Sequence, residues 1–530
     1  MIAGAHGDSP HRVATRLESA IEDLEVDFHR AYWDSQVAAT HETERRRADL
    51  ELRLRRVKGD PAGLRAVEEA LGEEVHDPVL KRRLQVLRRS MLGNQMDEDR
   101  RRSMVELQSQ VESDFAAHRA EVNGVRMSDN DIEEVLRSSQ DPEQRRLAWE
   151  GSKGVGRVVA DRVRELARIR NAAARDLGYA DYYHLSLELQ EFTEEWLFGV
   201  MADVEKLTDE PFRRWKSSLD QRLRFRFGTS NLFPWHYADP FFQQLPPDGR
   251  VTLDSLLADR DVAELAAATF AAWGIDLSGV IAQSDLYPRE GKSQHAFCLD
   301  VDRSGRDVRI LANVVPGERW TEVMLHESGH AAYDVGVDRR LPYMLRRPTH
   351  IFVTEAIAIL SGRLVRDPTW LTQVADADET EVDVLAPALE TATRAQVLQF
   401  ARWTLVMVHF ERQLYLDPEA DLDETWWDLV ERFQMVERPP SRRAPDWAAK
   451  IHVAVAPVYY QNYLLGEMLA SQLRETCTRE CNGLVGNRDA GDLLVKRVFQ
   501  PGGLLRWDSL IEEATGHPLS AEAFAADAVF

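Results

Sequence analysis

The segment between Thr321 and Leu364 constrains this 530-residue chain more than any other stretch. It contains the pentapeptide His326-Glu327-Ser328-Gly329-His330, which has the pattern H-E-x-x-H. Residues four apart lie on one face of a helix, so the two histidines can present their imidazoles to one metal ion. Glu327 follows the first histidine and can take a proton from the attacking water. The flanks of the motif are apolar and free of proline, which predicts a helix.

A third metal ligand is expected downstream, because a catalytic zinc site uses three protein ligands and keeps a fourth position open. Glu355 is the candidate, 25 positions after His330, which leaves room for a loop and a second helix. A carboxylate in an otherwise apolar helical segment is costly to bury unless a cation meets it. The alternative is that His326 and His330 are ordinary histidines and that Glu355 merely begins a helix. We prefer a site for one Zn²⁺ held by all three residues.

Composition argues against several other classes of protein. The formal net charge of −23 opposes binding to nucleic acid or to an anionic membrane surface, since both require a basic footprint. No signal-peptide pattern and no long uncharged apolar segment is present in the sequence. The three cysteines do not make a disulfide framework, and Cys477 and Cys481 are expected to be reduced thiols. We therefore expect a cytoplasmic protein without nucleic-acid or membrane partners.

Most of the remaining sequence has a helical pattern. Amphipathic helices with short breaks are predicted from residue 13 to residue 177 and again beyond Glu355. Two of the breaks contain Asp-Pro, and one of the helices is predicted from Met104 to Val122. No internal repeat and no low-complexity linker divides the chain. A mainly α-helical body is therefore expected.

One clear β signal precedes the metal-binding helix. Residues 296–301 and 308–315 are short β-type runs on either side of Asp302-Arg303-Ser304-Gly305-Arg306, a pattern that predicts a hairpin. A hairpin in this place can offer an edge to which an extended peptide adds as a strand. A purely structural hairpin fits the sequence equally well.

A second informative stretch lies between Lys450 and Glu467 and is rich in tyrosine. Tyr460 and Tyr463 are three residues apart, about one helical turn, so both phenols can point into one cavity. A phenol O–H can stabilise the oxyanion that forms when water attacks a peptide carbonyl. On spacing alone the simpler interpretation is favoured, in which the tyrosines pack half-buried on a helix with their polar ends in water.

These motifs together resemble the angiotensin-converting-enzyme-like and thimet-oligopeptidase/oligopeptidase F group of zinc peptidases. The matching residues are the H-E-x-x-H motif, Glu355-Ala356-Ile357, and Lys450-x-His452 followed by Tyr460-x-x-Tyr463. The resemblance implies two helical lobes with a deep central channel and one short hairpin beside the zinc helix. We divide the chain into an N-terminal helical region, residues 1–144, forming part of the channel wall or lid, and a catalytic region, residues 145–530.

The resemblance also implies roles for residues outside the metal site. His452 would bind a substrate carbonyl, and Tyr463 would stabilise the oxyanion. Tyr460 would be its neighbour, although the register also allows Tyr459 in that place.

Two further groups of residues would bind the peptide chain. His295 and Ala296 begin a segment that would pair with the substrate backbone. Lys450 and Gln243, with Tyr459 or Tyr460, would hold a C-terminal carboxylate.

The sequence departs from the converting enzymes at one position near the metal. There, an acidic residue four positions after the glutamate ligand supports a zinc histidine, whereas this chain has Ile359. Asp334, one helical turn after His330, or another carboxylate is therefore expected to orient the imidazoles.

The sequence thus predicts a zinc metallopeptidase that hydrolyses peptide bonds in short oligopeptides by metal-activated water. Internal cleavage by an oligopeptidase and release of C-terminal dipeptides by a peptidyl-dipeptidase both remain open. One alternative is a zinc hydrolase or lyase that acts on a small non-peptide amide with the same scaffold, because fold does not fix the substrate. Another is a helical binding protein with a vestigial metal site.

Overall fold

The computed structural model describes residues 9–245 and 252–528, and these residues are mainly helical, as predicted. The helices of the first half are α1 (Pro10–Val37), α2 (His41–Lys58), α3 (Pro61–Gly72), α4 (Pro78–Leu92), α5 (Glu98–Ala117), α6 (Asp129–Ser138), α7 (Pro142–Ser152), α8 (Gly154–Asp176), α9 (Tyr182–Leu189), α10 (Glu194–Phe227), α11 (Asp254–Leu257) and α12 (Val262–Ala272). Those of the second half are α13 (Ser278–Gln283), α14 (Glu318–Gly336), α15 (Ile351–Gly362), α16 (Pro368–Gln373), α17 (Glu379–Leu416), α18 (Leu422–Gln434), α19 (His452–Val455), α20 (Gln461–Cys481), α21 (Arg488–Leu494), α22 (Trp507–Thr515) and α23 (Glu522–Ala528). The strands are β1 (Ala120–Val122), β2 (Val125–Met127), β3 (Phe297–Asp300) and β4 (Val308–Leu311).

The described chain divides into two compact units, each assembled from separate segments. The first unit contains residues 9–95, 252–389 and 465–524, and the second contains residues 96–245, 390–464 and 525–528. The division into residues 1–144 and 145–530, and the role proposed for the N-terminal region, stay predictions. None of the helices within residues 9–245 and 252–528 is long and apolar enough to cross a membrane.

Local sequence explains where many of the N-terminal helices begin. Asp60, Asp77 and Asp141 each precede a proline, and each accepts hydrogen bonds from backbone amides of the first helical turn. The aspartate caps the free N–H groups, while proline suits the first helical position because it has no N–H to satisfy. The predicted Asp-Pro breaks are confirmed.

The helix predicted from Met104 to Val122 is wrong at its end. The helix stops at Ala117, and residues 120–122 pair with residues 125–127 as an antiparallel hairpin. Asn123 and Gly124 form its two-residue turn, with φ values of 53° and 78°. Both residue types adopt positive φ readily, and Asn-Gly between strands is a strong hairpin signal. This local turn signal overrides the helical periodicity that predicts a longer helix.

The hairpin predicted before the metal-binding helix is confirmed in a shorter form. β3 and β4 pair antiparallel in the first unit, with Phe297 opposite Leu311, and both strands pack on α14. α1 contacts the same hairpin, since Nδ1 of His29 lies 3.0 Å from the Val301 carbonyl oxygen and the Tyr32 ring lies 5.4 Å from the Phe297 ring. α1 therefore supports the strand pair that packs on α14.

Candidate active site

Two neighbouring helices of the first unit bring the predicted metal ligands together. α14 carries His326 and His330, and α15 carries Glu355. The Nε2 atoms of His326 and His330 lie 3.7 Å and 4.0 Å from Oε2 of Glu355. Ligand atoms of all three side chains lie within 4.8 Å of one another. Atoms bound to one zinc ion at about 2.0–2.1 Å are about 3.3 Å apart in a tetrahedral site, so these side chains are close enough to hold one ion.

Glycine allows this close approach of backbones around the ligands. A Cβ on Gly329, the fourth residue of the motif, would lie 2.8 Å from Cα of Ala358 and 3.0 Å from the carbonyl oxygen of Ile357. On α20, a Cβ on Gly466 would lie 3.2 Å from Cβ of Glu355. The backbones of α14 and α20 can therefore lie directly against α15.

The two imidazoles are held in the form that binds metal. Burial lowers the pKa of His326 to about 4, and burial together with the neighbouring His326 lowers the pKa of His330 to about 3. Nδ1 of His330 lies 2.7 Å from the hydroxyl oxygen of Thr354. With the proton on Nδ1, this nitrogen donates to Thr354 and leaves the lone pair of Nε2 directed toward Glu355.

The hydroxyl of Thr354 corrects our expectation that a carboxylate orients this histidine. Asp334 lies one turn beyond His330, but the imidazole is hydrogen-bonded to Thr354, the residue immediately before Glu355. Burial and the neighbouring Asp300 raise the pKa of Asp334 well above its usual range. Burial therefore disfavours the anionic form of Asp334 that the expected support requires.

The remaining groups around Glu355 fix the start of α15 and the charge of the site. His350 caps the helix, since its Nδ1 accepts a hydrogen bond of 3.2 Å from the backbone amide of Phe352.

Burial and the charge of Glu467 raise the pKa of Glu355 to about 7. Glu467 itself is paired with Arg363. Cation binding would favour the ionised form of Glu355.

Glu327 lies buried on the zinc helix next to the hairpin. Burial and the charge of Glu355 raise its pKa to about 8, while a hydrogen bond from the backbone amide of Cys298 on β3 opposes the rise. A nearby divalent cation would lower this pKa and leave the carboxylate able to accept a proton. Glu327 therefore lies on the same helix as the two histidines and is hydrogen-bonded to β3.

These donors fit zinc. Two neutral imidazoles and one carboxylate match the His₂Glu ligand set of catalytic zinc sites. The hydrogen bond to Thr354 supplies the outer support that such a histidine ligand normally has.

The predicted tyrosines lie in the second unit and are clustered. The Tyr463 ring lies 5.2 Å from the Tyr459 ring and 5.4 Å from the Tyr460 ring. Tyr460 is buried, and its hydroxyl accepts a hydrogen bond of 3.1 Å from Nε1 of Trp403. Burial raises the pKa of Tyr460, so its phenol is neutral at physiological pH. Both Tyr459 and Tyr460 are therefore neighbours of Tyr463.

The residues predicted to hold a carboxylate also lie together in the second unit. Nζ of Lys450 donates a hydrogen bond of 2.9 Å to Oε1 of Gln243. The backbone amide of Gln243 is in turn held by the buried carboxylate of Asp239, at 2.9 Å. Burial lowers the pKa of Lys450 to about 8, while the charges of Asp239 and Glu133 oppose the drop. Lys450 therefore remains largely a cation at neutral pH.

The last predicted positions are His452, His295 and Ala296. His452 lies beside the tyrosines, 5.3 Å from the Tyr460 ring. Burial lowers its pKa to about 4, and its Nδ1 is buried without a hydrogen-bond partner among the described residues. His295 is exposed and Ala296 is half-buried, directly before β3 in the first unit.

Sequence reasoning missed three residues that support the site. Nothing in the sequence around Thr354 indicates that its hydroxyl would bond to His330, which is 24 residues away. Asp239 and Trp403 were also missed, since each acts through contacts that no local pattern marks. For Asp239, the following proline is the one signal that the sequence offers, as Asp-Pro marks a turn.

Two family models match the sequence. Peptidase family M3 matches residues 281–529, which include both ligand helices and the tyrosine stretch. The angiotensin-converting enzyme family matches residues 8–211. Each match spans less than half of the chain, and no curated protein matches it significantly.

Both families are zinc metallopeptidases, and the two matches agree with the group that the sequence motifs resemble. The predicted enzyme class is therefore confirmed. The chain is a zinc metallopeptidase that is similar to peptidase family M3 over residues 281–529 and to the angiotensin-converting enzyme family over residues 8–211.

Proposed function

We propose that this peptidase cleaves short oligopeptides with one Zn²⁺ held by His326, His330 and Glu355. The observation that carries the proposal is the convergence of these three side chains, with their ligand atoms within 4.8 Å of one another. The bound ion would polarise the peptide carbonyl and lower the pKa of water toward about 7.

The residues of the chain then perform the proton transfers and bind the substrate. Glu327 takes a proton from the attacking water and passes it to the leaving amine. Tyr463 donates a hydrogen bond to the oxyanion, and the loss of one such donor typically lowers the rate by roughly 10² to 10³. His452 donates a hydrogen bond to a substrate carbonyl. His295 and Ala296 lead into β3, to which the peptide backbone would add as a strand.

We further propose that Lys450 and Gln243 bind the C-terminal carboxylate of the peptide, so that the enzyme releases C-terminal dipeptides. Lys450 forms no ion pair within the described residues, and its Nζ donates a hydrogen bond to the amide oxygen of Gln243. The rings of Phe241, Trp403 and Tyr460 surround the amine at 5.3–5.8 Å. A carboxylate in this setting would make a charge-assisted hydrogen bond to the ammonium group.

The proposal is tested with a matched pair of peptides, one with a free carboxyl terminus and one amidated. We expect the free acid to be cut at least tenfold faster and its products to include the C-terminal dipeptide, identified by mass. Lys450→Met should remove this preference, whereas Lys206→Met, at an exposed lysine of the same unit, should preserve it. Equal cleavage of acid and amide by the wild type, with no effect of Lys450→Met, would identify an endo-acting oligopeptidase.

Elemental analysis of the same preparations tests the metal. We expect one zinc per chain, which is lost in His326→Ala, His330→Ala and Glu355→Ala. Zinc without cleavage of any peptide in a mixed library would favour the small-amide hydrolase. Absence of both would favour the binding protein.

A further inference from the structure

A strained residue lies just before the clustered tyrosines in the second unit. Val458 has a φ of 53°, in the left-handed region. The described residues other than glycine with positive φ are Asn123, Glu191, Phe242, Arg303, Asp376, Met435, Ser441, Val458 and Asn482, and Val458 is the only β-branched residue among them. β-Branched side chains disfavour this conformation strongly, so the surroundings must hold Val458 in place.

Three side-chain hydrogen bonds hold the backbone of Val458. Its amide donates to Oε1 of the buried Glu411 on α17, at 2.8 Å. Its carbonyl oxygen accepts from Nε2 of Gln190 at 3.1 Å and from Nε2 of Gln461 at 2.7 Å. Both backbone polar groups of the strained residue are therefore satisfied by side chains of the second unit.

Gln190 also binds the start of the helix that carries Tyr463. Its Oε1 accepts from Nε2 of Gln461 at 3.0 Å and from Nδ2 of Asn462 at 2.9 Å. Gln461 begins α20, and Asn462 directly precedes Tyr463. Gln190 thus joins the strained turn at Val458 to the first turn of α20. Tyr460 lies between these two points in the chain.

The buried carboxyl group of Glu411 is not used in the proposed proton transfers. Burial raises its pKa to about 8, against the opposing effects of the Val458 amide and Arg170. At neutral pH it is largely a neutral acid, which a glutamine side chain can replace in shape and in acceptor capacity. Arg170 donates to the carbonyl oxygen of Ala454 at 2.6 Å, so the segment is also held upstream of Val458.

We propose that Glu411 and Gln190 are positioning residues that hold the strained turn at Val458, and thereby fix the phenols of Tyr460 and Tyr463. This inference rests on the proposed role of Tyr463 as oxyanion donor. Neither Glu411 nor Gln190 touches the substrate in this scheme. They act through the tyrosines, because an oxyanion donor displaced by a fraction of an ångström loses much of its effect.

The test compares Glu411→Met, Glu411→Gln and Gln190→Met with wild type, by kcat, KM and zinc content. We expect Glu411→Met and Gln190→Met to lower kcat by about 10- to 100-fold, with KM within about threefold and zinc unchanged. Glu411→Gln should recover most of the activity, because it keeps the acceptor for the Val458 amide. Thr208→Val, which removes a buried hydroxyl of α10 in the same unit, is the control for general loosening and should keep kcat.

Val458→Gly keeps the test decisive if the methionine variants do not fold. Glycine adopts positive φ without strain but also permits other conformations. We expect an equal or higher Tm and a kcat lower by about 3- to 10-fold. Full kcat at equal or higher Tm would mean that the turn has only a structural role.

A double-mutant comparison separates failure of this inference from failure of the proposed function. If Tyr463→Phe leaves kcat unchanged, Tyr463 is not the oxyanion donor and the inference falls with that role. If Tyr463→Phe lowers kcat, adding Glu411→Met to the Tyr463→Phe variant should lower kcat further by less than about threefold. A full and independent loss in the double variant would overturn the positioning role and leave the role of Tyr463 intact.

Discussion

The contact between Gly329 and α15 makes the ligand geometry sensitive to a single methyl group. In Gly329→Ala the new Cβ would lie 2.8 Å from Cα and 3.1 Å from the backbone nitrogen of Ala358. Carbon atoms in contact are normally about 3.5–4.0 Å apart, so the helices must separate by roughly 0.7 Å or more. The atoms concerned belong to the backbone, and no change of side-chain rotamer can relieve the contact.

The expected effect on stability is smaller than the effect on the metal site. Alanine gains about 1 kcal/mol over glycine in helix propensity, whereas overpacking costs about 1–3 kcal/mol. The net change in the free energy of unfolding should therefore be a loss of between about 0 and 2 kcal/mol. Zinc affinity should fall by roughly 10- to 100-fold, because α14 supplies two ligands, α15 supplies Glu355, and a shift between the helices disturbs all three.

The measurements are urea unfolding of the metal-free protein and zinc affinity by competition with a chelator. Gly199→Ala is the matched control, since a Cβ on this glycine of α10 would meet no atom of the described residues within 4 Å apart from its chain neighbours and the backbone of its own helix. It should gain up to about 1 kcal/mol in stability and keep zinc affinity and activity. Wild-type zinc affinity in Gly329→Ala would refute the view that this contact sets the ligand geometry.

Three further predictions concern protons and hydrogen bonds. Glu327→Gln should keep zinc but lose activity by about 10³-fold or more, while Glu322→Gln, one turn before His326, should stay within about tenfold of wild type. Thr354→Val should weaken zinc binding by roughly 10- to 100-fold, and Thr354→Ser, which keeps the hydroxyl, should not. Burial, aided by the charge of Arg145, lowers the pKa of His236 to about 4. Between that value and the unfolded pKa of about 6.5 the unfolded chain binds the extra proton, so stability falls as the pH falls. Relative to His236→Gln, wild type should therefore lose about 1–2 kcal/mol between pH 7 and pH 5, measured by urea unfolding.

The features that sequence predicted best depend on neighbours along the chain. The four-residue spacing of His326 and His330 places them on one helix face independently of the rest of the chain. Asp60 and Asp77 cap helices through amides two or three residues away. The Asn123-Gly124 turn is also encoded by adjacent residues, although we predicted a helix across it. Its turn preference outweighs the helical periodicity of the residues around it.

The features that sequence did not reveal depend on how helices cross. Thr354 meets His330 because Gly329 allows α14 to lie against α15, and no spacing rule encodes that meeting. The turn at Val458 is similar, since Glu411 and Gln190 are distant from it in the sequence. A valine gives no sign of a positive φ, because its own preference opposes it.

Ile359 provides a direct test of how the second imidazole is supported. Glu355 and Gly362 precede and follow Ile359 by one helical turn, and both face His326. Oε2 of Glu355 lies 3.7 Å from Nε2 of His326, and a Cβ on Gly362 would lie 3.6 Å from the Cβ of that histidine. Ile359 therefore lies on the same face of α15. The Thr354 hydroxyl supports the other imidazole, that of His330. An aspartate at position 359 would be placed to accept a hydrogen bond from Nδ1 of His326.

We expect Ile359→Asp to bind zinc about tenfold more tightly than wild type, because a carboxylate partner fixes the imidazole and raises its basicity. The metal-free variant should be less stable, because it places a half-buried carboxylate close to Glu355 and loses the packing of the isoleucine. Ile359→Asn, which offers an acceptor without the charge, should show a smaller gain in affinity. Chelator competition and urea unfolding of the metal-free proteins measure the two effects separately. Unchanged or weaker zinc binding in Ile359→Asp, with the zinc-loaded protein still folded, would mean that His326 needs no support from this face of α15.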